Sequence, residues 1–576
     1  MLFDGGVPKA DIVIDAGADA TVRKAASEIA AYGEKTAKGT MRVRTADEPS
    51  ELKASIRIKV VEPGATGGEI THADGYSIKT SGPEITITGG SARGALYGAY
   101  DFIERVMNVR WFMPAALGED VVPQSSIAYP EINVVWNPAF QSVSGLIWAG
   151  GPGSADWELR ARAKIGPSGV SFGHNWDNIL PRNAANLARY PLAFAEVNGR
   201  RGSSPQLCSE DPDVVRLSVE AARNAFAKNP DLPLFSISPN DGEGFCEDDR
   251  CRRIDALYGV TDGTLADRFV HYANAVITEV KKTHPGKELG ILAYVEHTAP
   301  PKKAVPLPEY ATLVTHTPWE FCHVHAIDDP QCPTNRRFTE YLRGWTALTH
   351  HVGIYDYYGH FFMFTPWPLV RTIRLDIPFL HSLGVERFTS ETQQNWANQG
   401  INFYVAAKLL ADPSTNVDNL LTEYYTRFYG AAAAPMRRYW ERFETAMANS
   451  VSVQDAGYGW ISMFRRPLLD AAAADLAEAD RLAATDKREI VRQRLAFIRL
   501  GFDYTEAVTE MFEAHERGDA NAIDGWTSKA VERLNKTQGS APQAFFLSIA
   551  VPQTRYLSSL LQQQEEPWVL LRPPGL

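Results

Sequence analysis

From residue 142 to residue 390 the chain swings repeatedly between two hydrophobic periods. Short apolar runs of strand length, such as Leu234-Phe235-Ser236-Ile237-Ser238, Gly290-Ile291-Leu292-Ala293-Tyr294 and Ala311-Thr312-Leu313-Val314-Thr315, alternate with longer stretches of helical spacing at 213–228, 265–282, 338–348 and 370–383. A strand buried on both faces reads as a continuous apolar run, and a helix between two such strands returns the chain to a parallel neighbour. This alternation restricts the segment to a parallel sheet flanked by helices. Val352-Gly353-Ile354-Tyr355 and Val385-Glu386-Arg387-Phe388-Thr389 continue the series, and the runs 142–148 and 169–172 precede it, giving seven strand candidates. An eighth, and with it closure into a (β/α)8-type TIM barrel, is inferred from the kind of repeat.

Three of these runs close on polar and acidic residues: Pro239-Asn240-Asp241-Gly242, Tyr355-Asp356-Tyr357-Tyr358 and Ser390-Glu391. The carboxyl ends of barrel strands line the active-site face. Carboxylates gathered there among aromatics suit glycosidic-bond cleavage, which needs an acid for the leaving oxygen and a carboxylate to support the oxocarbenium-like centre. Asp241 and Glu391 are the leading catalytic pair. Glu391 has the longer reach and is assigned as acid/base; Asp241 is the polarising or stabilising partner, oriented by Asn240, and the two roles are exchangeable. The competing structural readings are an Asp-Gly turn for Asp241 and a helix-start acid for Glu391.

Around this pair stand candidate substrate-binding residues. Glu296, just after the 290–294 run, is the best substitute acid, ahead of Glu243 on its glycine-flanked loop. Asp356, between Tyr355 and Tyr357, either points into the barrel mouth or anchors a neighbouring loop. His174, in Phe172-Gly173-His174-Asn175-Trp176, is placed to bond a sugar hydroxyl or to serve structurally. Trp148, Trp176, Tyr294, Tyr357, Tyr358, Trp367 and Trp396 are candidate sugar platforms, of which two or three are expected to touch substrate.

The flanks read differently. Residues 1–130 alternate strand and helix patterns without a catalytic motif and are expected to form a small α/β sandwich; Gly89-Gly90 reads as a tight turn rather than a phosphate cradle. A proline-rich linker at 122–138 leads into the barrel, assigned to 131–415. From about residue 420 onward the strand signals fade, and 420–429, 432–447, 467–484, 487–515 and 520–536 carry helical spacing, so 416–576 is expected to be α-helical.

Other chemistries find little support. A net charge of −11 offers no broad basic surface for nucleic acid, and no apolar run approaches membrane-helix length. A dinucleotide fingerprint and a phosphate loop are missing, and no cofactor is expected. Five cysteines, Cys208, Cys246, Cys251, Cys322 and Cys332, lie mid-chain. Cys246/Cys251 and Cys322/Cys332 are either local disulfides or reduced buried thiols. No metal site is expected, because Cys246-x4-Cys251, His323 and His325 lack zinc-finger spacing, as do His350, His351 and His360. The first residues lack the charged and apolar regions of a signal peptide, which suits either a cytoplasmic chain or one whose leader is absent. The oligomeric state is not written in the sequence.

Several motifs carry a family resemblance. Gly94-Ala95-Leu96-Tyr97-Gly98-Ala99-Tyr100 with Arg110-Trp111-Phe112-Met113-Pro114 resembles the non-catalytic domain that precedes the barrels of β-hexosaminidases and α-glucuronidases. Asn198-Gly199-Arg200, Ser238-Pro239-Asn240-Asp241-Gly242 with Phe245-Cys246 and Cys251, Tyr355-Asp356-Tyr357, Glu391 with Trp396, and Tyr404 to Leu410 with Asp412-Pro413 resemble, in that order, glycoside hydrolase family 163. That bacterial family was first filed as a domain of unknown function. The resemblance spans about residues 75–450. It implies a retaining endo-β-N-acetylglucosaminidase acting on N-glycans with help from the substrate's own acetamido group. A secreted or periplasmic location is expected for such an enzyme. The rivals are a glycosidase of other specificity, such as an α-glucuronidase or another exo-glycosidase with Arg336 or Arg337 binding a uronate, and a non-catalytic glycan-binding protein that keeps only the aromatic platforms.

Overall fold

The computed structural model describes residues 1–64, 68–146, 154–167, 172–317, 321–359, 364–449, 463–545 and 547–563. Its amino-terminal part is built on a six-stranded mixed sheet. Strand β1 (Ala10–Ile14) leads through α1 (Ala20–Ala37) to β2 (Val43–Thr45) and β3 (Ala54–Val60), and β4 (Tyr76–Ser81) and β5 (Glu84–Gly89) lead into α2 (Ala92–Val106). Alternate residues Ile56 and Ile58 of β3, and Ile85 and Ile87 of β5, are buried, as the period of a strand requires. Both helices start on side-chain caps: Asp19 accepts from Thr21 N at 2.7 Å and Ser91 from Gly94 N at 3.1 Å. A Cβ on Gly89 would stand 2.0 Å from Ala95 N, so the Gly89 turn is a close approach of backbone to the start of α2. The sheet takes its last strand, β6 (Asn133–Trp136), from beyond the expected boundary at 130; β6 pairs antiparallel with β4.

The second sheet has six strands, all parallel: β7 (Ser142–Val143), β8 (Leu234–Ser236), β9 (Glu288–Ala293), β10 (Tyr310–Thr315), β11 (Val352–Asp356) and β12 (Arg387–Ser390). Their order is β7-β12-β11-β10-β9-β8. Helix α3 (Pro212–Lys228) precedes β8; α4 (Asp249–Tyr258) and α5 (Ala266–Val280) separate β8 from β9. Helix α6 (Pro333–Leu348) follows β10 and α7 (Val370–Ser382) follows β11. Pairing of the first strand with the last is a barrel-like feature, yet β7 and β8 remain the two edges among the described residues. Among the described residues the parallel strands make a half-barrel, open between β7 and β8. Of the candidate strand at 169–172, residues 169–171 lie outside the described residues. The chain that follows makes no ladder with β8 and is tied to it by side chains instead. Ser236 Oγ donates to Gly173 O at 2.7 Å, and Asn175 Nδ2 donates to Ser236 O at 2.6 Å.

Beyond β12, α8 (Trp396–Ala411) is buried along nearly its whole length. The carboxy-terminal region is helical, as expected: α9 (Val417–Tyr429), α10 (Ala433–Ala448), α11 (Arg466–Ala483), α12 (Glu489–Glu516), α13 (Ala520–Ser540) and α14 (Leu547–Gln562). Arg494 of α12 is fully buried and donates to the carbonyls of Leu117, Glu119 and Phe428, which joins this region to the first part of the chain. No helix among the described residues is long and apolar enough to cross a membrane.

Candidate active site

The carboxyl ends of β8, β9, β11 and β12 converge. After β8 the chain is held by its own hydroxyls: Ser238 Oγ accepts from Leu292 N of β9 at 3.0 Å and shares a hydrogen bond with Ser236 Oγ at 2.8 Å. Asn240 is buried, and its amide is fully engaged. Its Oδ1 accepts from Asp177 N at 2.8 Å, while Nδ2 donates to Asp177 Oδ1 at 3.0 Å and to Pro205 O at 2.7 Å. Asn240, expected to orient Asp241, thus fixes the loop that carries it. What it fixes is the exit of Asp241, whose side chain is exposed and accepts from Gly242 N at 2.9 Å. The local Asp-Gly hydrogen bond weighed in the sequence reading is present, and it leaves Asp241 exposed. His174 lies beside it: Nδ1 bonds Pro239 O at 2.6 Å, leaving Nε2 turned toward Asp241 Oδ1 at 3.6 Å.

Glu391 follows β12 directly, and its N–H extends the ladder by donating to Asp356 O at 2.9 Å. The Tyr355 hydroxyl donates to Glu391 Oε2 at 2.5 Å and the Tyr357 hydroxyl to the same oxygen at 3.3 Å. Alternate residues of a strand share a face, so the two tyrosines reach one carboxylate while Asp356, between them, points the other way. Burial pushes the Glu391 carboxyl above the usual carboxylate range; the two hydroxyls oppose that shift, and the negative charge of Asp241 adds to it. Burial likewise raises Tyr355 and Tyr357, with the charge of Glu391 next in weight, so both remain proton donors. Tyr294, at the end of β9, completes the wall. Its ring meets His174 edge-on at 5.9 Å between centroids, and it lies within electrostatic reach of both tyrosines.

The structure thus brings together Asp241, His174, Tyr294, Tyr357 and Glu391, and adds Tyr355, which the sequence reading quoted in a motif but did not assign to the site. Glu296 sits one turn past Tyr294, where burial raises its carboxyl and the charge of Glu243 adds to the shift. Asp356 and Trp396 are corrected. Asp356 is buried on the far face of β11, where its Oδ1 meets His323 Nε2 at 3.0 Å and His316 Nδ1 at 3.3 Å and accepts from Tyr357 N at 2.7 Å. Burial works against its charge, but the two imidazoles outweigh that and hold the carboxyl well below the usual range. Trp396 opens α8 inside the core, edge-on to Trp157 at 4.6 Å. Trp176, Tyr358 and Trp367 are core residues too, and Trp148 lies outside the described residues. Of the seven platform candidates, Tyr294 and Tyr357 border the cluster. Arg336 and Arg337 are exposed on the first turn of α6.

Neither candidate cysteine pair is bonded; all five thiols are free and buried, the second of the two readings. Among the described residues, three groups of potential ligands bring their donor atoms within 4.8 Å of one another: Cys208, Cys246, Asp248 and Cys251; Cys322, His325 and Cys332; and His316, His323 and Asp356. The last needs no ion for its geometry, since two imidazoles and a backbone N–H already meet the Asp356 carboxylate.

A family model described as a domain of unknown function, DUF4838, matches residues 113–442. No curated protein matches the chain. Among solved structures, a GH138 enzyme targeting pectin rhamnogalacturonan II is similar with 10% identity and a TM-score of 0.42, over 98% of this chain and 100% of that one. A GH20 β-N-acetylhexosaminidase from Streptomyces coelicolor A3(2) is similar with 13% identity and a TM-score of 0.41, over 74% of this chain and 91% of that one. A GH89 protein from Clostridium perfringens, in complex with GlcNAc-α-1,4-galactose, is similar with 11% identity and a TM-score of 0.47, over 89% of this chain and 65% of that one. Each of these structural likenesses is distant.

Proposed function

The chain belongs to the DUF4838 family, and from that premise we propose that it is a glycoside hydrolase cleaving β-linked N-acetylhexosamine within glycans. The observation that carries this reading is the state of Glu391. Its carboxyl is buried enough to hold a proton above the usual range, is aimed by two tyrosine hydroxyls, and lies within electrostatic reach of the exposed Asp241. A carboxyl of raised pKa beside an ionised partner is the arrangement a general acid requires.

In this mechanism Glu391 protonates the leaving oxygen, and its conjugate base then takes a proton from the incoming water. Asp241, exposed beside it, supports positive charge developing at the sugar, either directly or through an acetamido group that it orients. His174 holds Asp241 in place through the 3.6 Å contact. Tyr294 and Tyr357 offer ring faces and hydroxyl edges to a pyranose. The choice of N-acetylhexosamine, of retention and of endo action rests on the ordered motifs resembling glycoside hydrolase family 163.

The reading is tested by offering the protein N-glycans, an aryl β-N-acetylglucosaminide and an aryl α-glucuronide, with products followed by mass spectrometry and the released anomer by NMR. Cleavage next to a β-linked N-acetylhexosamine with the β-anomer released first is the expected outcome. Cleavage of the uronide alone would move the specificity elsewhere. Binding of glycans without any cleavage would make the protein a lectin-like module.

A further inference from the structure

Three cysteines distant in the chain meet at one buried point. Cys208 lies in the loop before α3, Cys246 ends the loop that carries Asp241, and Cys251 lies in the first turn of α4. Asp248, which caps α4, is the fourth member, and the ligand atoms of all four lie within 4.8 Å of one another. Cys208 Sγ is 3.4 Å from Cys251 Sγ and 3.3 Å from Asp248 Oδ2. All four residues are buried, and the thiols pack with Ala195 in a small cluster apart from the main core.

We propose that this group is a structural zinc site, with Cys208, Cys246 and Cys251 as thiolate ligands and Asp248 as the carboxylate ligand. Zinc takes four ligands in a tetrahedron with bonds of about 2.3 Å to sulfur, which sets neighbouring sulfurs about 3.8 Å apart. Donor atoms already within 4.8 Å reach that geometry by small rotations. Thiolate-rich sets select zinc among the common divalent ions. Four protein ligands leave no open position, so the site is a staple and not a catalytic centre.

The surroundings fit metal-bound thiolates. A neutral thiol is a weak acceptor, yet N–H donors are aimed at these sulfurs: Arg250 Nη2 at Cys208 Sγ over 3.4 Å and Glu196 N at Cys246 Sγ over 3.5 Å. Arg201 and Arg250 both hold Asp248 Oδ2, at 3.1 and 2.5 Å, and so orient the carboxylate. Arg268 donates to Cys246 O at 2.8 Å. These guanidiniums also answer Glu196, Asp211 and Asp255.

The staple would secure the loop from β8 to α4. Gln206, two residues before Cys208, already clamps that loop by donating from Nε2 to Asn240 O at 2.7 Å and to Gly242 O at 2.8 Å. A closed metal site at its far end, Cys246, would fix both sides of Asp241.

The test is elemental analysis of the full chain purified without chelator, with thiols counted after denaturation in chelator without reductant. The expected result is about one zinc per chain, five reactive thiols, loss of the metal in Cys208→Ser and Cys251→Ser, and its retention in Cys322→Ser. Should those variants fail to fold, cobalt exchanged into the native chain reports instead, through thiolate charge-transfer and strong tetrahedral d–d bands. Chelation is expected to lower Tm, since metal binding contributes to folding free energy. A native chain that neither carries zinc nor takes up cobalt in a tetrahedral thiolate site overturns the proposal. So does a disulfide mapped by mass spectrometry to any two of Cys208, Cys246 and Cys251.

Discussion

The Tyr355 hydroxyl and the Glu391 carboxylate meet at 2.5 Å across two neighbouring parallel strands. The register makes this possible: Tyr355 lies opposite Thr389 and Asp356 opposite Ser390, so Glu391 begins one step past the ladder, where Tyr357 also reaches it. The contact leaves Glu391 between opposing influences. Burial and the Asp241 charge favour its protonated form; the tyrosine hydroxyls favour its carboxylate.

Removing the acid tests the chemistry. Glu391→Gln is expected to lower kcat by about 100- to 10,000-fold, the usual worth of a positioned acid/base, while glycan affinity stays near that of the native chain. Steady-state kinetics with calorimetric binding to the variant check both halves.

Removing the neighbouring charge tests the coupling. Asp241→Asn deletes one cause of the raised Glu391 pKa. The basic limb of the pH–kcat profile should move to lower pH, beyond any loss of rate. Tyr355→Phe should move the same limb to higher pH, because a hydrogen bond that stabilises the carboxylate is lost. Opposite displacements in the two variants are the signature; equal or absent displacements contradict the assignment.

Stability should report Glu391 independently of substrate. A carboxyl with a folded-state pKa raised above the unfolded value favours folding fully below that unfolded value, and the contribution is lost as pH rises through the folded value. Glu391→Gln is therefore expected to raise Tm at neutral pH and to lose that advantage under acid conditions. Thermal melts at both pH values decide it.

Asp356 carries the opposite sign. Its carboxyl is held down by His316 and His323 against burial, so its stabilisation is present above the unfolded carboxyl pKa and is lost as pH falls through the folded value. Asp356→Ala should destabilise by about 1–3 kcal/mol at neutral pH for each buried donor it leaves unmet. The deficit should shrink in strong acid, as measured by urea unfolding.

Much of the architecture was legible before any coordinates. The central strands and their helices follow from the change of hydrophobic period, and α3 at Pro212–Lys228 differs by one residue from the spacing-based span 213–228. The helical carboxy-terminal region was equally clear, except for α14, where Pro552 interrupts the pattern. Barrel closure was not legible, because around Gly173–Asn175 serine and asparagine side chains replace the ladder that periodicity would predict. At the site, strand ends placed Asp241 and Glu391 on one face, but residue type could not tell a surface Asp from a buried one. Asp356 looks like a ligand in sequence and turns out to be an internal brace. Tyr355 carried a usable signal, since Tyr355 and Tyr357 two apart around Asp356 must share a face. Cys208 was invisible to spacing rules because it joins Cys251 across 43 residues.

The account stands on Asp241 and Glu391 acting on one glycosidic bond. The most direct measurement is turnover of a β-linked N-acetylhexosaminide by the native chain, Asp241→Asn, Glu391→Gln and the double variant. The account predicts hydrolysis by the native chain, severe loss in each single variant, and a double variant little worse than the weaker single one, as expected for groups that work as a unit. Native-like turnover in both single variants would contradict it.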